Sequence, residues 1–121
     1  MNKLIFILCF SVLQSCKRNL QHERFVSNES SDTILVLNPD FGDTVFIIPP
    51  SAEAMIYSYE ILDTKQESEP CLWMGDTLYI EKTNGLTSSK RVSAEANWTS
   101  IVTGNKQRSQ KCTFILDDDD F

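Results

Sequence analysis

The sequence predicts an all-β domain, an antiparallel β-sandwich, in the part of the chain from residue 32 to residue 121. Three observations lead to this prediction. Short runs rich in β-branched and aromatic residues recur along this part, and such residues are enriched in strands. Proline, asparagine and glycine stand between the runs, where the chain would turn. One run also has the period of two that is typical of a half-buried strand.

The first two strands are predicted at residues 33–37 and 44–48. The first run is β-branched and aliphatic, and it stops at the turn sequence Asn38-Pro39-Asp40. The second run ends at Pro49-Pro50, and a proline cannot donate a hydrogen bond to a β-ladder. Each run has the length of a typical strand.

Residues 51–62 admit two interpretations. Residues 52–54 (Ala-Glu-Ala) favour a helix. From Met55 onward the aromatic and β-branched content favours a strand. We therefore predict a strand with alternating faces, one of which carries Met55, Tyr57, Tyr59 and Ile61.

The second half of the chain contains further short strands. Residues 72–74 and 77–80 flank Gly75-Asp76, so they form either one bulged strand or two short ones. Asn84-Gly85 is a pair favoured in the tight turn of a hairpin. Residues 98–103 form another strand before the turn at Gly104-Asn105.

The last predicted strand has Cys112, Phe114 and Leu116 on one face, alternating with residues of the other face. The chain thus contains six or seven short strands with turn signals between them. This number and spacing favour an immunoglobulin-like sandwich, with a small β-barrel as the alternative.

The first sixteen residues have the layout of a secretory signal. Lys3 gives a positive start, residues 4–13 are a near-continuous apolar run, and the small residue Ser15 stands directly before Cys16. The apolar run is too short to span a bilayer, which takes about 20 apolar residues. We therefore expect an exported protein.

The tetrad Leu13-Gln14-Ser15-Cys16 resembles a bacterial lipobox of the relaxed kind common in Bacteroidota. In that family, signal peptidase II cleaves before the cysteine, whose thiol then carries diacylglycerol. The resemblance implies a signal peptide over residues 1–15 and a lipid anchor on Cys16 with acyl chains such as palmitate. The polar composition of residues 20–31 predicts that residues 16–31 form a tether, which leaves room for a first strand around Phe25-Val26. An ordinary secretory signal with an unmodified Cys16 is the alternative.

Lys17 and Arg18 follow Cys16. Surface-exported lipoproteins of Bacteroidota typically have acidic residues at these positions, and retention at the inner membrane in enteric bacteria is favoured by an aspartate after the cysteine. The resemblance therefore implies a lipid-anchored protein on the periplasmic face of the outer membrane.

Cys71 and Cys112 are expected to form a disulfide. Cys9 lies in the signal and Cys16 is expected to carry lipid, which leaves an even pair in an oxidising compartment. The bridge would close a loop of about 42 residues and stabilise the fold by about 4 kcal/mol through loop-closure entropy. The alternative is a redox or metal-binding thiol pair, but the spacing is not Cys-x-x-Cys and the single histidine, His22, falls in the predicted tether.

The charge balance argues against nucleic acid and anionic lipid headgroups as partners. The chain has 11 basic and 17 acidic residues and a formal net charge of −6. Its basic residues are scattered and form no groove with interleaved aromatic residues.

No residue pattern predicts an enzyme, a cofactor or a metal. The chain lacks a Gly-rich phosphate loop, and with one histidine no serine or cysteine has an evident base. The acidic run at residues 117–120 lacks the spacing of a calcium-binding loop. It is predicted to be a solvated tail.

The sequence Asp-Thr-aliphatic occurs at residues 32–34, 43–45 and 76–78. It resembles the acceptor of the general O-glycosylation system of Bacteroidota, which implies modification at Thr33, Thr44 and Thr77. The alternative is that an aspartate ends a turn and a β-branched pair begins a strand.

The whole layout of lipobox, short tether and β-rich domain resembles the small lipoproteins of Bacteroides-type bacteria. This resemblance implies a location and an architecture. The first functional hypothesis is a non-enzymatic envelope protein that binds a protein or a glycan or has a structural role. The second is an inhibitor or immunity lipoprotein that neutralises an envelope hydrolase, since the acidic charge suits basic lysozymes.

Overall fold

The computed structural model describes residues 18–39, 44–73 and 78–121. These residues form seven β-strands and two short 3₁₀-helices. The strands are β1 (Arg18–Asn28), β2 (Ile34–Asn38), β3 (Thr44–Ile48), β4 (Glu53–Thr64), β5 (Tyr79–Lys82), β6 (Trp98–Thr103) and β7 (Gln107–Leu116). The helices are Glu95–Asn97 and Asp118–Asp120.

The strands form two sheets. The larger is a mixed four-stranded sheet in the order β4-β1-β7-β6, and the smaller is an antiparallel three-stranded sheet in the order β3-β2-β5. Apolar side chains from both sheets meet in one buried cluster. The predicted all-β sandwich is confirmed.

The pairing of the first strand with the last is parallel, whereas we expected antiparallel strands throughout. Residues from Asn19 to Asn28 of β1 lie beside residues from Gln107 to Leu116 of β7 in a continuous parallel register. The two strands are at opposite ends of the chain, so no local turn signal announces their pairing. The constant-type immunoglobulin order, with strands 1, 2, 5 and 4 in one sheet, also differs from the order observed here.

β1 corrects the predicted tether and domain boundary. Residues 18–28 form a strand inside the larger sheet, so the folded domain includes them and does not begin at residue 32. Leu20 and Val26 are completely buried. The inward positions between and after them are His22, Arg24 and Asn28, and these polar residues hide the period-two pattern that would have identified the strand.

β4 is a strand over its whole length, so the helical alternative for residues 51–62 is wrong. Its register with β1 shifts between Tyr57 and Met55, and Ile56 is left without a partner in the ladder. This bulge turns Ile56 into the core, where it is 5% exposed, while Met55 is 46% exposed. The alternation had predicted that Met55 shares a face with Tyr57 and Tyr59, and for Met55 this prediction is wrong.

In the second half of the chain, β6 has the bounds predicted for it, residues 98–103, and the turn predicted at Asn84-Gly85 is also present. Gly85 has a positive φ of 91°, and its N–H donates to the carbonyl of Lys82 at 2.9 Å, which confirms a turn at this pair. After the turn, the chain pairs back with β5 through an isolated β-bridge between Glu81 and Thr87. Residues 71–73 are not in a strand, and residues 74–77 lie outside the described part of the chain.

The long strands of the larger sheet extend beyond the smaller sheet. β1, β4 and β7 have 11, 12 and 10 residues, whereas β2, β3 and β5 have 5, 5 and 4. The segment that follows β4 packs on the part of the larger sheet that the smaller sheet does not cover. Its backbone bonds with the side chains of Arg108 and Gln110 on β7.

Two glycines with the same backbone conformation allow a matched test of the turns. At Gly85 (φ 91°) an added Cβ would meet no atom within 4 Å, whereas at Gly104 (φ 90°) it would lie 2.2 Å from the carbonyl oxygen of Gln107. We predict that Gly85→Ala lowers the free energy of unfolding by about 1–2 kcal/mol, from the left-handed backbone alone. Gly104→Ala should lower it by clearly more, because the backbone must also move. Equal losses in urea unfolding would contradict this account of the Gly104 turn.

Candidate functional site

The predicted lipidation site, Cys16, lies outside the described residues, together with the rest of the predicted signal peptide. The described chain begins at Arg18, the first residue of β1. Within the described ranges, no helix is long and apolar enough to cross a membrane.

The three predicted glycosylation acceptors lie in different surroundings. Thr44 is exposed at the first residue of β3, and Thr33 is half-buried just before β2. Thr77 falls outside the described residues. Modification of these residues stays a prediction.

The predicted disulfide between Cys71 and Cys112 is present, with a Cα–Cα distance of 5.6 Å. Cys112 lies on the inner face of β7, and Cys71 lies in the segment that follows β4. Both residues are buried. The bridge therefore fastens the segment after β4 onto the part of the larger sheet that the smaller sheet leaves uncovered.

Gln110 fastens the same segment by hydrogen bonds. Its amide oxygen accepts from the backbone N–H of Glu69 at 2.8 Å, and its amide nitrogen donates to the carbonyl of Glu69 at 2.8 Å. The amide nitrogen also lies 2.9 Å from the hydroxyl of Ser100. These bonds determine which end of the amide faces His22, because the oxygen must be the atom that accepts from Glu69.

His22 is completely buried beside this amide, so its expected position in a tether is wrong. Its Nδ1 lies 3.1 Å from the amide oxygen of Gln110 and therefore carries the proton. Its Nε2 accepts from the Nε of Arg24 at 3.2 Å and lies 3.5 Å from the sulfur of Cys112. The imidazole also stacks on Tyr59, with ring centroids 4.7 Å apart.

Burial lowers the pKa of His22 below its usual 6.5, and the hydrogen bond with Gln110 acts in the opposite direction. The positive charge of Arg24 lowers this pKa further. The neutral imidazole is the form that accepts from Arg24, so geometry and pKa agree. With both nitrogens engaged and no exposed surface, His22 has a structural role in this cluster.

The guanidinium of Arg24 lies among three aromatic rings. Its central carbon is 5.5 Å from the ring centroid of Tyr57, 5.8 Å from that of Tyr59 and 5.7 Å from that of Trp73. Contacts of this kind stabilise a cation by about 0.5–2 kcal/mol each, depending on exposure. They allow a charged residue to sit at an inward position of β1.

The acidic run at residues 117–120 is docked on the domain, so it is not the solvated tail that we predicted. The side chains of Asp117 and Asp120 form a reciprocal capping box on the last 3₁₀-helix. Asp118 accepts from the backbone N–H and the hydroxyl of Ser31 at 3.0 and 2.9 Å and pairs with Lys82 at 3.1 Å. Across residues 18–39, 44–73 and 78–121 there is no cluster of three His, Cys, Asp or Glu side chains that could hold a metal ion.

The outer surface of the smaller sheet is apolar. In the ladder, Leu35 lies between Ile47 and Glu81, and Leu37 lies between Val45 and Tyr79. Ile47, Tyr79 and Val45 are 69%, 60% and 51% exposed. We call this surface the outer apolar face and define it by its five apolar residues, which are Leu35, Leu37, Val45, Ile47 and Tyr79. Part of it forms an open groove of about 710 Å³ that extends to Glu81 and Thr87.

The outer surface of the larger sheet is different in character. There, Lys111 pairs with Glu53 at 2.6 Å and covers the ring of Phe25, with its Nζ 4.5 Å from the ring centroid. Glu60 and Gln107 are joined by a hydrogen bond on the same surface. The larger sheet also has exposed apolar side chains, but among the described residues these are Met55 and Leu62 on β4 and Ile101 and Val102 on β6, its two edge strands. The exposed apolar side chains of the smaller sheet instead lie on both sides of Leu35 and Leu37, which is the contiguous arrangement expected of a binding surface.

The sequence identified the strands that carry the outer apolar face but not the exposure of this face. β2 and β3 are apolar on both of their sides, so the pattern alone does not show which side is solvated. No protein-family model matches the sequence, and no curated protein or solved structure matches it.

The docked acidic run provides a pH test. The hydrogen bond from the backbone of Ser31 lowers the pKa of Asp118 below its usual 3.8, and Lys82 lowers it further. A carboxyl with a lowered pKa in the folded state stabilises the fold above its unfolded pKa, and this stability is lost as the pH falls through the folded value. We predict that Asp118→Asn flattens the loss of stability that wild type shows on acidification from about pH 5.

Asp119→Asn is the matched control, since Asp119 is an exposed neighbour whose carboxylate makes no hydrogen bond or ion pair among the described residues. This variant should keep the wild-type slope in thermal melts between about pH 5 and pH 2. If both variants have the same slope, Asp118 does not hold the acidic run in place.

Proposed function

We propose that this chain is a non-enzymatic, lipid-anchored protein of the cell envelope that binds another protein through its outer apolar face. The observation that carries the proposal is the exposure of Ile47, Tyr79 and Val45 on one surface of a small domain. Large apolar side chains gathered on one surface favour association, because burying them removes about 25 cal/mol per Å² of unfavourable hydration.

The composition of the face favours a protein partner over a glycan. Four of its five residues are aliphatic, and Tyr79 alone presents an aromatic ring and a hydroxyl. Sugars expose hydroxyl groups, which would leave water without finding hydrogen-bond partners on Leu35, Leu37 and Val45. An apolar protein surface has no such cost.

The negative charge of the chain favours a partner with basic residues around its contact surface. The chain has a formal net charge of −6, and Glu81 borders the groove. A partner with basic residues around an apolar centre would be attracted and oriented by this field. A basic envelope hydrolase has these properties, so inhibition of such an enzyme is the second candidate function.

The proposed attachment is a lipid on Cys16, at the periplasmic face of the outer membrane. It is supported by the lipobox tetrad that ends at Cys16. In the sequence, Lys17 alone separates Cys16 from the first residue of β1. At no more than about 3.6 Å per residue, this spacing would hold the domain against the membrane surface.

Site-specific cross-linking tests the binding face. A photoreactive amino acid is placed at Ile47 in the full chain in its native envelope, and at Leu62 as the control. The two side chains are equally exposed, at 69% and 64%, but Leu62 lies on β4 of the other sheet. We predict a discrete protein adduct from position 47 and none from position 62.

The adduct must then be reproduced with purified components. Val45→Asp places a charge in the face and should weaken binding of the identified partner at least tenfold, whereas Leu62→Asp should not. Hen lysozyme as a probe separates the inhibitor function from general binding. In the same cells, labelled palmitate should enter the chain and be lost in Cys16→Ala. Identical adducts from both positions, or none from position 47, would contradict the proposed binding face.

A further inference from the structure

The two edge strands of the larger sheet differ in their protection against pairing. β4 is one edge, and it carries the charged residues Glu53, Glu60 and Asp63 and a bulge at Ile56. Charges and bulges of this kind prevent an edge from adding another strand. β6 is the other edge and has neither feature.

β6 has the sequence Trp-Thr-Ser-Ile-Val-Thr, without a charge, a proline or a glycine. Five of its six residues are exposed, including Ile101 at 62% and Val102 at 41%. Its ladder runs to β7 on one side, and no described strand lies on its other side. An edge with high β-propensity and no charge is a template for strand addition.

We propose that β6 pairs antiparallel with β6 of a second copy of this chain, which joins the two larger sheets into one eight-stranded sheet. A second copy fits this edge because the strand carries no charge. In a two-fold pairing each residue lies opposite a residue of the same strand, so a charged edge such as β4 would bring carboxylates together. β6 contains no charge that could repel its copy.

A register centred on Ile101 fits the side chains. It places Ile101 opposite its own copy and Thr99 opposite Thr103 of the other chain. Threonine pairs and β-branched apolar pairs are favourable across strands. The nearest charge on the same surface is Lys111, the β7 neighbour of Ile101. Lys111 and its copy would be three strand spacings apart, which is about 14 Å. This separation is longer than the Debye length at physiological salt, so the repulsion between the two charges is largely screened.

This dimer leaves the outer apolar face free. The two-fold axis of an antiparallel pair is perpendicular to the sheet, so the faces of both copies lie on the same side of the dimer. The proposal does not depend on the proposed binding function, because β6 and the outer apolar face belong to different sheets.

Cysteine cross-linking of the full chain tests the pairing. Ile101→Cys would bring two thiols to opposite positions of the ladder, with Cα atoms about 4.5–5.5 Å apart, within the range for a disulfide. Leu62→Cys is the control, since Leu62 is 64% exposed on the other edge strand. We predict at least tenfold more disulfide-linked dimer from Ile101→Cys than from Leu62→Cys or from the parent chain. The parent chain measures how much dimer forms through Cys9 and Cys16.

The register has its own test. A chain with Thr99→Cys should cross-link to a chain with Thr103→Cys. Two chains with Thr99→Cys should not cross-link, because the two copies of residue 99 would be about 14 Å apart. Val45→Asp should leave the dimer unchanged, which separates this proposal from the binding function. Equal cross-linking at positions 101 and 62, none at position 101, or an adduct of position 101 with a different protein would overturn the proposal.

Discussion

The hydrogen-bonded ladders on the two sides of β1 hold the larger sheet together. β1 pairs antiparallel with β4 on one side and parallel with β7 on the other, and no other described strand pairs with β4 in this sheet. Removing β1 would therefore free β4 and expose the side of β7 that faces it. The inner face of the sheet, including Val26 and Phe114, would lose its continuity. A small domain has only about 5–15 kcal/mol of stability, so this ladder decides whether it folds.

Because β1, β4 and β7 are longer than the strands of the smaller sheet, part of their inner face requires another cover. The segment after β4 provides it, held by the Cys71–Cys112 bridge and by the two bonds between Gln110 and Glu69. Beneath it, the polar side chains are satisfied by one another, with neutral His22 between Gln110 and Arg24. Polar side chains thus face inward in this part of the larger sheet, while apolar side chains of the smaller sheet face outward in the proposed binding face.

The sequence predicted those parts of the fold that have a local signal. β3 was found to the residue because a β-branched run meets two prolines, and the disulfide followed from the number of cysteines and the expected compartment. Of β1, only a short strand around Phe25-Val26 was considered, because His22, Arg24 and Asn28 occupy inward positions, where a sequence pattern expects apolar residues. The parallel pairing of β1 with β7 and the burial of Gln110 depend on contacts between residues far apart in the sequence. A local sequence pattern does not predict such contacts. Exposure of the outer apolar face was missed because strands that are apolar on both sides look fully buried.

Hydrogen exchange of the backbone amides of β1 tests this account most directly. The amides of residues 20–28 that bond to β4 or β7 should exchange only through global unfolding, as slowly as those of Cys112 and Phe114 in the middle of β7. Residues 65–68, which are not in a strand, should exchange faster and serve as the internal comparison. If the amides of residues 20–28 exchange as fast as those of an unstructured chain, this segment is a tether and the sheet described here is wrong.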